Sequence, residues 1–262
     1  MHAADVQRIK DLLPTTLGSG EIREQIAADI LRRSVFSARM ASAPYLAQVR
    51  DVCAELSAGT VSQSDARARL MDALGRMGHS PLDGGGLSNP ASIRRLDLIL
   101  ETQRQMAASV AKLSEETPAT LGQWPAWRLT RMEGRGAPRP DWAKRWQAAG
   151  DACGWEGALP NSGIYPDWDM VALKSSPIWR ELGNGAGGFR DALGNPYPPF
   201  AYGSGLDWED VDAEECRRLG LLADGETPDA PASVSLSPGE RDIADAIRRL
   251  GGDFRSIAEG LS

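Results

Sequence analysis

All eight tryptophans of this 262-residue chain lie between Trp124 and Trp208. The same stretch is dense in glycine and proline, which interrupt helices and strands. A buried tryptophan side chain covers roughly 150–250 Å². The sequence therefore predicts that aromatic rings form the core of a largely irregular module. Nine aromatic residues are its candidate structural anchors: Trp124, Trp127, Trp142, Trp146, Trp168, Trp179, Tyr197, Phe200 and Trp208.

The segments on either side of this stretch have the apolar periodicity of amphipathic helices. Residues 223–236 are poor in large apolar groups and predict a linker. The capping-box spacing of Ser237 and Glu240 predicts a helical hairpin over residues 237–262. The N-terminal part predicts four helices: residues 4–13, one long helix over 21–56 with a kink or boundary at Pro44, Ser62–Met77, and a helix that begins at Asn89-Pro90 and ends before Pro118.

Within the tryptophan-rich stretch, only short elements are expected. Strands are predicted near residues 127–132 and 169–173, and short helices over residues 139–146, over residues 176–182 and after Asp212. The fold class is therefore mainly α, with a Trp/Gly/Pro-rich, largely irregular α+β module in the middle. The predicted organisation is a helical N-terminal region (1–118), the Trp-rich module (119–222), the linker (223–236) and the C-terminal hairpin (237–262).

The composition argues against several classes of protein. There are only two histidines, His2 and His79, which disfavours histidine-based catalysis and histidine metal sites. Cys53, Cys153 and Cys216 are widely spaced, as expected for reduced thiols. No apolar run is long enough for a membrane span, and no signal peptide is evident. We therefore expect no catalytic residues, no metal site, no cofactor and no membrane partner.

A basic island between Trp124 and Trp146 is the clearest local charge feature. Arginine interleaved with tryptophan suits phosphate contacts with base stacking beside them. Arginine stems can equally pack over tryptophan rings and hold the loop together, and the net charge of −7 disfavours general nucleic-acid binding. The candidate residues for contact with nucleic acid or a protein partner are Arg128, Arg131, Arg135, Arg139, Lys144 and Arg145.

Acidic residues also lie among the tryptophans. Tryptophan-lined clefts with paired carboxylates are typical of glycoside hydrolases, so a glycan hydrolase is an alternative function. No spacing marks one of these carboxylates as a proton donor, and carboxylates beside glycine and proline are commonly turn caps. The glycine-dense run over residues 183–188 has no Lys-Ser/Thr pair and is interpreted as a flexible surface loop. The acidic residues are Asp167, Asp169, Glu181, Asp191, Asp207, Glu209 and Asp210.

Three segments together resemble a known family. They are WRLTRMEGRGAPRPDWAKRW (127–146), MVALKSSPIWREL (170–182) and GNPYPPFAYGSGLDWEDVDAEECRRLGLL (194–222). They are similar to the phage Mu F-like minor head proteins of the phage head morphogenesis family, in a divergent branch. The helical region from Val35 to Pro81 resembles the segment before the common module of that family, and the resemblance covers roughly residues 30–222.

The resemblance implies a structural component of a phage or prophage head with no catalytic residues. The expected partners are the portal and/or the major capsid protein, within an oligomeric viral assembly, and double-stranded DNA is a further candidate partner. The expected location is the virion, assembled in the host cytoplasm. The family commonly has Arg…His and Cys-Arg-Cys motifs where this chain has Arg139–Trp142 and Pro198–Tyr202, so a metal or thiol role is not carried over. The nucleic-acid-binding module and the glycan hydrolase remain the alternatives.

Overall fold

The computed structural model describes residues 1–83, 86–131, 141–154, 170–232 and 234. These residues divide into two compact units, one formed by residues 1–111 and one by residues 112–234. Helices predominate and the strands form two small sheets, which confirms a mainly α fold with a small α+β module. The C-terminal hairpin predicted over residues 237–262 lies outside the described residues, and the predicted domain boundaries stay predictions.

The first unit is helical apart from one short pair of strands. Strands β1 and β2 pair in parallel, with Leu12 opposite Val35. Two short 3₁₀ turns, Pro81–Asp83 and Gly86–Ser88, precede the last helix. The elements in chain order are α1 (Ala3–Arg8), β1 (Asp11–Leu12), α2 (Ser19–Gln25), α3 (Ala28–Arg33), β2 (Ser34–Val35), α4 (Ala43–Ser57), α5 (Gln63–Arg76) and α6 (Ile93–Ser114), which continues into the second unit.

The prediction of a single helix over residues 21–56 is wrong, because that range contains α2, α3, β2 and α4. The backbone becomes extended at Ile26 (φ −113°, ψ 128°), and β2 pairs with β1 far away in the chain. Local periodicity carries no information on that long-range pairing. The boundary predicted at Pro44 is confirmed: Pro44 lies in the first turn of α4, where the Ser42 hydroxyl accepts a hydrogen bond from the Tyr45 N–H.

Two other helix ends differ from the prediction. Helix α1 ends at Arg8, because the chain then enters β1, so the predicted helix over residues 4–13 is too long. Helix α6 begins at Ile93 and not beside Asn89. The Asn89 side chain accepts a hydrogen bond from the Ala91 N–H, which forms a local turn, and the Ser92 hydroxyl accepts one from Arg95. The helix predicted from Ser62 is confirmed as α5, with Ser62 as its cap.

The core of the first unit is aliphatic. Its main cluster comes largely from the facing sides of α4, α5 and α6, and a smaller cluster comes from α2, α3 and the segment after β1. The fully buried leucines Leu46, Leu70, Leu74, Leu96 and Leu100 are central to the main cluster. Burial of this kind stabilises by roughly 25 cal/mol per Å² of apolar surface.

The second unit contains a three-stranded antiparallel sheet of order β4-β3-β5. The predictions of β3, β4 and the helices α8 to α10 are confirmed, whereas β5 was not predicted. Helix α8 is longer than expected and ends at Gly154, which adopts the left-handed conformation (φ 64°). The elements are α7 (Pro118–Gln123), β3 (Ala126–Arg131), α8 (Trp142–Cys153), β4 (Val171–Leu173), α9 (Ile178–Asn184), β5 (Leu206–Val211) and α10 (Ala213–Arg218).

Candidate functional site

The tryptophans of the second unit pack against one another in a cluster that we call the aromatic core. Trp127 on β3 and Trp208 on β5 stack with ring centroids 3.7 Å apart and an interplanar angle of 9°. The strand register explains this contact, because Trp127 lies opposite Asp210 and is therefore a diagonal neighbour of Trp208. The members of the aromatic core are Trp127, Trp146, Trp179, Phe200 and Trp208.

Trp179 on α9 is the central ring of the aromatic core. Its edge or face meets Trp146 at 5.3 Å, Trp208 at 5.7 Å, Trp127 at 5.9 Å and Phe200 at 6.1 Å between centroids. Such edge-to-face pairs contribute about 0.5–1.5 kcal/mol each beyond the burial of area. The Trp179 indole N–H also donates to the Leu173 carbonyl at 2.9 Å, which fixes the ring relative to β4.

The remaining predicted anchors differ in their environment. Trp142 and Tyr197 are buried, at 2% and 0% exposure. Trp124 is 43% exposed, because it lies at the C-cap of α7 where the chain turns towards β3, so its ring is not part of the core. Trp168 lies outside the described residues. Among the described residues, the buried indole N–H groups of Trp127, Trp142 and Trp208 have no hydrogen-bond partner, so ring contacts dominate the packing.

The glycine-dense run over residues 183–188 begins within α9 and is tightly packed at its start, which corrects its interpretation as a flexible surface loop. A Cβ atom on Gly183 would lie 1.7 Å from the Asn195 carbonyl oxygen. The Gly194 N–H donates to the Gly183 carbonyl at 2.8 Å, and the Asn195 amide donates to the Pro199 carbonyl beside a cis Pro198–Pro199 peptide bond. This close approach holds the segment that carries Phe200 against α9.

The basic island does not form one exposed surface. Arg145 is 6% exposed, and its guanidinium lies 2.8 Å from Asp141 and 2.9 Å from Asp191. The same group lies over the rings of Trp142 (4.9 Å) and Phe189 (4.2 Å). Arg145 therefore stabilises the module by ion pairs and by packing over aromatic rings, which is the second of the two interpretations of the basic island.

The other residues of the island have different surroundings. Arg128 pairs with Glu215 at 2.7 Å and approaches Glu209 at 3.9 Å, so its charge is neutralised within the module. Arg131 and Lys144 are exposed, and Arg131 makes a further interaction. Arg135 and Arg139 lie outside the described residues.

A group of charges around the buried Lys174 side chain was not expected from the sequence, and we call Lys112, Glu116, Lys174 and Asp210 the charged cluster. Lys174, only 2% exposed at its side chain, lies 2.5 Å from Glu116 and 2.9 Å from Asp210. Lys112 lies 2.9 Å from the other oxygen of Asp210. Burial alone would raise the pKa of Asp210, but the close contacts and the charges of Lys112 and Lys174 outweigh it and lower that pKa. The sequence does not predict this cluster, because its paired charges lie far apart in the chain.

The acidic residues proposed for hydrolysis are mostly paired with cations. Asp191 forms an ion pair with Arg145, and Asp210 forms ion pairs within the charged cluster. Glu181 lies 3.1 Å from Arg180. Asp167 and Asp169 lie outside the described residues. Within the described ranges, no group of three or more His, Cys, Asp or Glu side chains could hold a metal ion.

The cysteines have the environment of packing residues where they are buried. Cys216 packs with Ala126, Val171, Val211 and Leu222, and burial, helped by the nearby acidic residues, raises the pKa of its thiol to about 11. Burial raises the pKa of Cys53 to about 12. Thiols with such pKa values stay protonated at neutral pH and are poor nucleophiles.

The first unit also contains a buried lysine. Lys10 is 2% exposed, and its ammonium donates to the Gln103 side-chain oxygen at 2.8 Å. Burial lowers its pKa to about 8, since a neutral amide compensates an ammonium only partly.

Among the described residues, no helix is both long and apolar enough to cross a membrane. Comparisons with protein-family models, curated proteins and solved structures find no match for this chain.

Proposed function

We propose that this protein is a structural, non-enzymatic component of a bacteriophage or prophage head, associated with the portal or the major capsid protein. The resemblance of residues 30–222 to the phage Mu F-like minor head proteins gives the class of assembly. The observation that supports a structural role best is the aromatic core, in which tryptophan faces contact one another and are buried.

The aromatic core fits a docking module better than a ligand-stacking site. Trp127 is 1% exposed, Trp146 1% and Trp179 2%, so these faces have no room for a base or a sugar ring. Tryptophan has only two side-chain torsions, and rings held by several neighbours lose little further freedom when the module binds. A module with such a core presents its surface to a partner in one geometry, which suits a particle built from repeated contacts.

The charge arrangement also favours this proposal over the nucleic-acid alternative. Phosphate binding through Arg128 or Arg145 would require exchange of their carboxylate partners Glu215, Asp141 and Asp191 for phosphate. Such an exchange leaves carboxylates unpaired in a partly buried site and is therefore costly. The exposed side chain of Lys144 is available for weaker contacts with packaged DNA.

A binding experiment with purified proteins tests the proposal. The tagged full-length chain is mixed with the portal protein and, separately, with the major capsid protein from the same phage, after nuclease treatment. We expect a complex with at least one of them by size-exclusion chromatography with light scattering. Binding that disappears with nuclease would favour the nucleic-acid alternative, and no complex with either protein would count against the proposal.

A pair of variants adds a control to this experiment. Trp124→Ala alters an exposed ring, whereas Trp179→Ala disrupts the aromatic core. Under the proposal, the core variant forms less of the complex, because its second unit is less stable. The effect of Trp124→Ala on binding reports whether its exposed ring belongs to the contact surface.

A further inference from the structure

The charged cluster brings two carboxyl groups to a buried amine, and the Asp210 side chain is 37% exposed. Lys174 Nζ lies 2.5 Å from Glu116 Oε1 and 2.9 Å from Asp210 Oδ1. The side chains of Lys174 and Glu116 are 2% and 9% exposed, and the Trp127 ring lies 5.2 Å from the amine. Asp210 Oδ1 is buried and meets Lys174 outside the angles of a hydrogen bond, so this short contact is not a well-formed one.

We propose that Lys174 and Asp210 condense to an intramolecular isopeptide bond, with Glu116 as the proton-transfer residue and Lys112 as the stabiliser of the developing negative charge. This activity is separate from the proposed function and does not depend on it. The geometry assigns each group a role, because the amine touches both carboxyl groups while Lys112 holds the oxygen of Asp210 that faces away from the amine.

The proposed reaction begins with transfer of a proton from the Lys174 ammonium to the Glu116 carboxylate. The two groups are in direct contact, with 2.5 Å between Lys174 Nζ and Glu116 Oε1. The Lys174 nitrogen, which lies 2.9 Å from Oδ1 of Asp210, then forms a bond to the carboxyl carbon of Asp210. Charge that develops on Oδ2 is stabilised by the Lys112 ammonium 2.9 Å away.

The balance of the reaction needs no oxidant and no second substrate. The Lys174 ammonium carries three protons, of which one remains on the amide nitrogen. Glu116 passes the other two in turn to Oδ1 of Asp210, which leaves as water: it takes the first before the attack and the second from the nitrogen once the new bond has formed. Because the ion pairs lower its pKa, Asp210 enters the reaction as a carboxylate, so both protons of the leaving water come from Lys174.

The bond would tie the end of β4 to β5 across the central strand β3. Lys174 directly follows β4, and its N–H donates to the Pro125 carbonyl just before β3, whereas Asp210 pairs with Trp127. The linked loop contains α9 and the segment that carries Phe200. A covalent link of this kind restricts the unfolded chain and therefore stabilises the module that holds the aromatic core.

Intact-mass spectrometry of the denatured full-length protein tests the proposal directly. We expect a mass lower by about 18 Da, one water, than the sequence requires. After trypsin digestion, tandem spectra should show one branched peptide that joins Lys174 to Asp210, with cleavage after Lys174 blocked. A full mass in protein that has been kept folded would overturn the proposal. A loss of water without the branched peptide, as from a succinimide that hydroxylamine opens, would overturn it as well.

Three variants test the assigned roles. Lys174→Arg keeps a cation but removes the amine, and Glu116→Gln keeps the hydrogen-bonding shape but removes the proton acceptor, so both should have the full sequence mass. The matched control is Glu115→Gln, an exposed neighbour that should still lose water. Tryptophan fluorescence confirms that each variant is folded. A folded Glu116→Gln protein that carries the bond would overturn the role of Glu116, and a bond that survives Lys174→Arg would overturn the assignment of the amine.

Discussion

Replacement of Trp179 by alanine tests whether tryptophan rings form the core of the second unit. The side chain is 2% exposed and meets four aromatic rings. Burial of roughly 150–250 Å² at about 25 cal/mol per Å² contributes roughly 4–6 kcal/mol. Buried Trp→Ala changes cost about 3–5 kcal/mol in practice, and the Leu173 carbonyl also loses its indole donor. We expect a loss of about 4 kcal/mol in the free energy of unfolding.

Urea unfolding followed by two signals measures this loss. All eight tryptophans lie in residues 124–208, within the second unit, so their fluorescence reports that unit and not the first. Far-ultraviolet circular dichroism reports the helices of both. With a slope of about 2 kcal/mol per M, the fluorescence midpoint should fall by about 2 M.

Trp124→Ala is the matched control, because the ring is 43% exposed. Its loss should be about 1 kcal/mol or less, as for most surface changes. If Trp179→Ala costs no more than Trp124→Ala, the inference that ring contacts stabilise the second unit is wrong.

Two further predictions concern packing and buried charge. Gly183→Ala should lower the free energy of unfolding by at least about 3 kcal/mol in the same fluorescence assay, because its Cβ would lie 1.7 Å from the Asn195 carbonyl oxygen. Gly122→Ala is the control and should leave stability unchanged or slightly higher, because no atom lies within 4 Å of the added Cβ. Similar losses in both variants would contradict the close approach at Gly183. Lys10→Met should be more stable than the natural protein at pH 7, because the folded pKa of about 8 lies below the unfolded value near 10.4. Between these two pH values the unfolded chain binds more protons than the folded chain, so the natural protein gains stability as pH rises from 8 to 10.5. The difference in free energy of unfolding between the Lys10→Met variant and the natural protein should therefore shrink by about 3 kcal/mol over this range, measured by circular dichroism. A difference that is constant with pH would contradict the burial of the Lys10 charge. Because the Lys10 charge lowers the pKa of Cys53, the comparison is made with Cys53→Ala in both proteins.

The sequence predicted those parts of the fold that depend on neighbouring residues. Caps such as Ser62 and Asp212 mark helix starts because their side chains accept backbone hydrogen bonds three residues later. Pro44 marks a boundary for a similarly local reason. The division of residues 21–56 into several elements was missed, because it depends on the pairing of β2 with β1.

The candidate site was predictable only in its composition. The density of tryptophan, glycine and proline indicated an aromatic core, but the partners of each ring depend on which strands pair. Strand β5 was missed because its burial pattern is irregular: Leu206, Trp208 and Val211 are buried, whereas Glu209 is exposed. The ionic partners of Arg128 and Lys174 lie 87 and 58 residues away in the chain, beyond any local pattern.

The most direct test of the proposed function is the protein composition of purified phage particles. Procapsids and mature virions are isolated from an induced host, and each protein is quantified by mass spectrometry relative to the portal protein. The proposal predicts this chain at a fixed, low ratio to the portal in procapsids, in virions or in both, with the ratio unchanged by nuclease and high salt. Absence of the chain from both particles would contradict it.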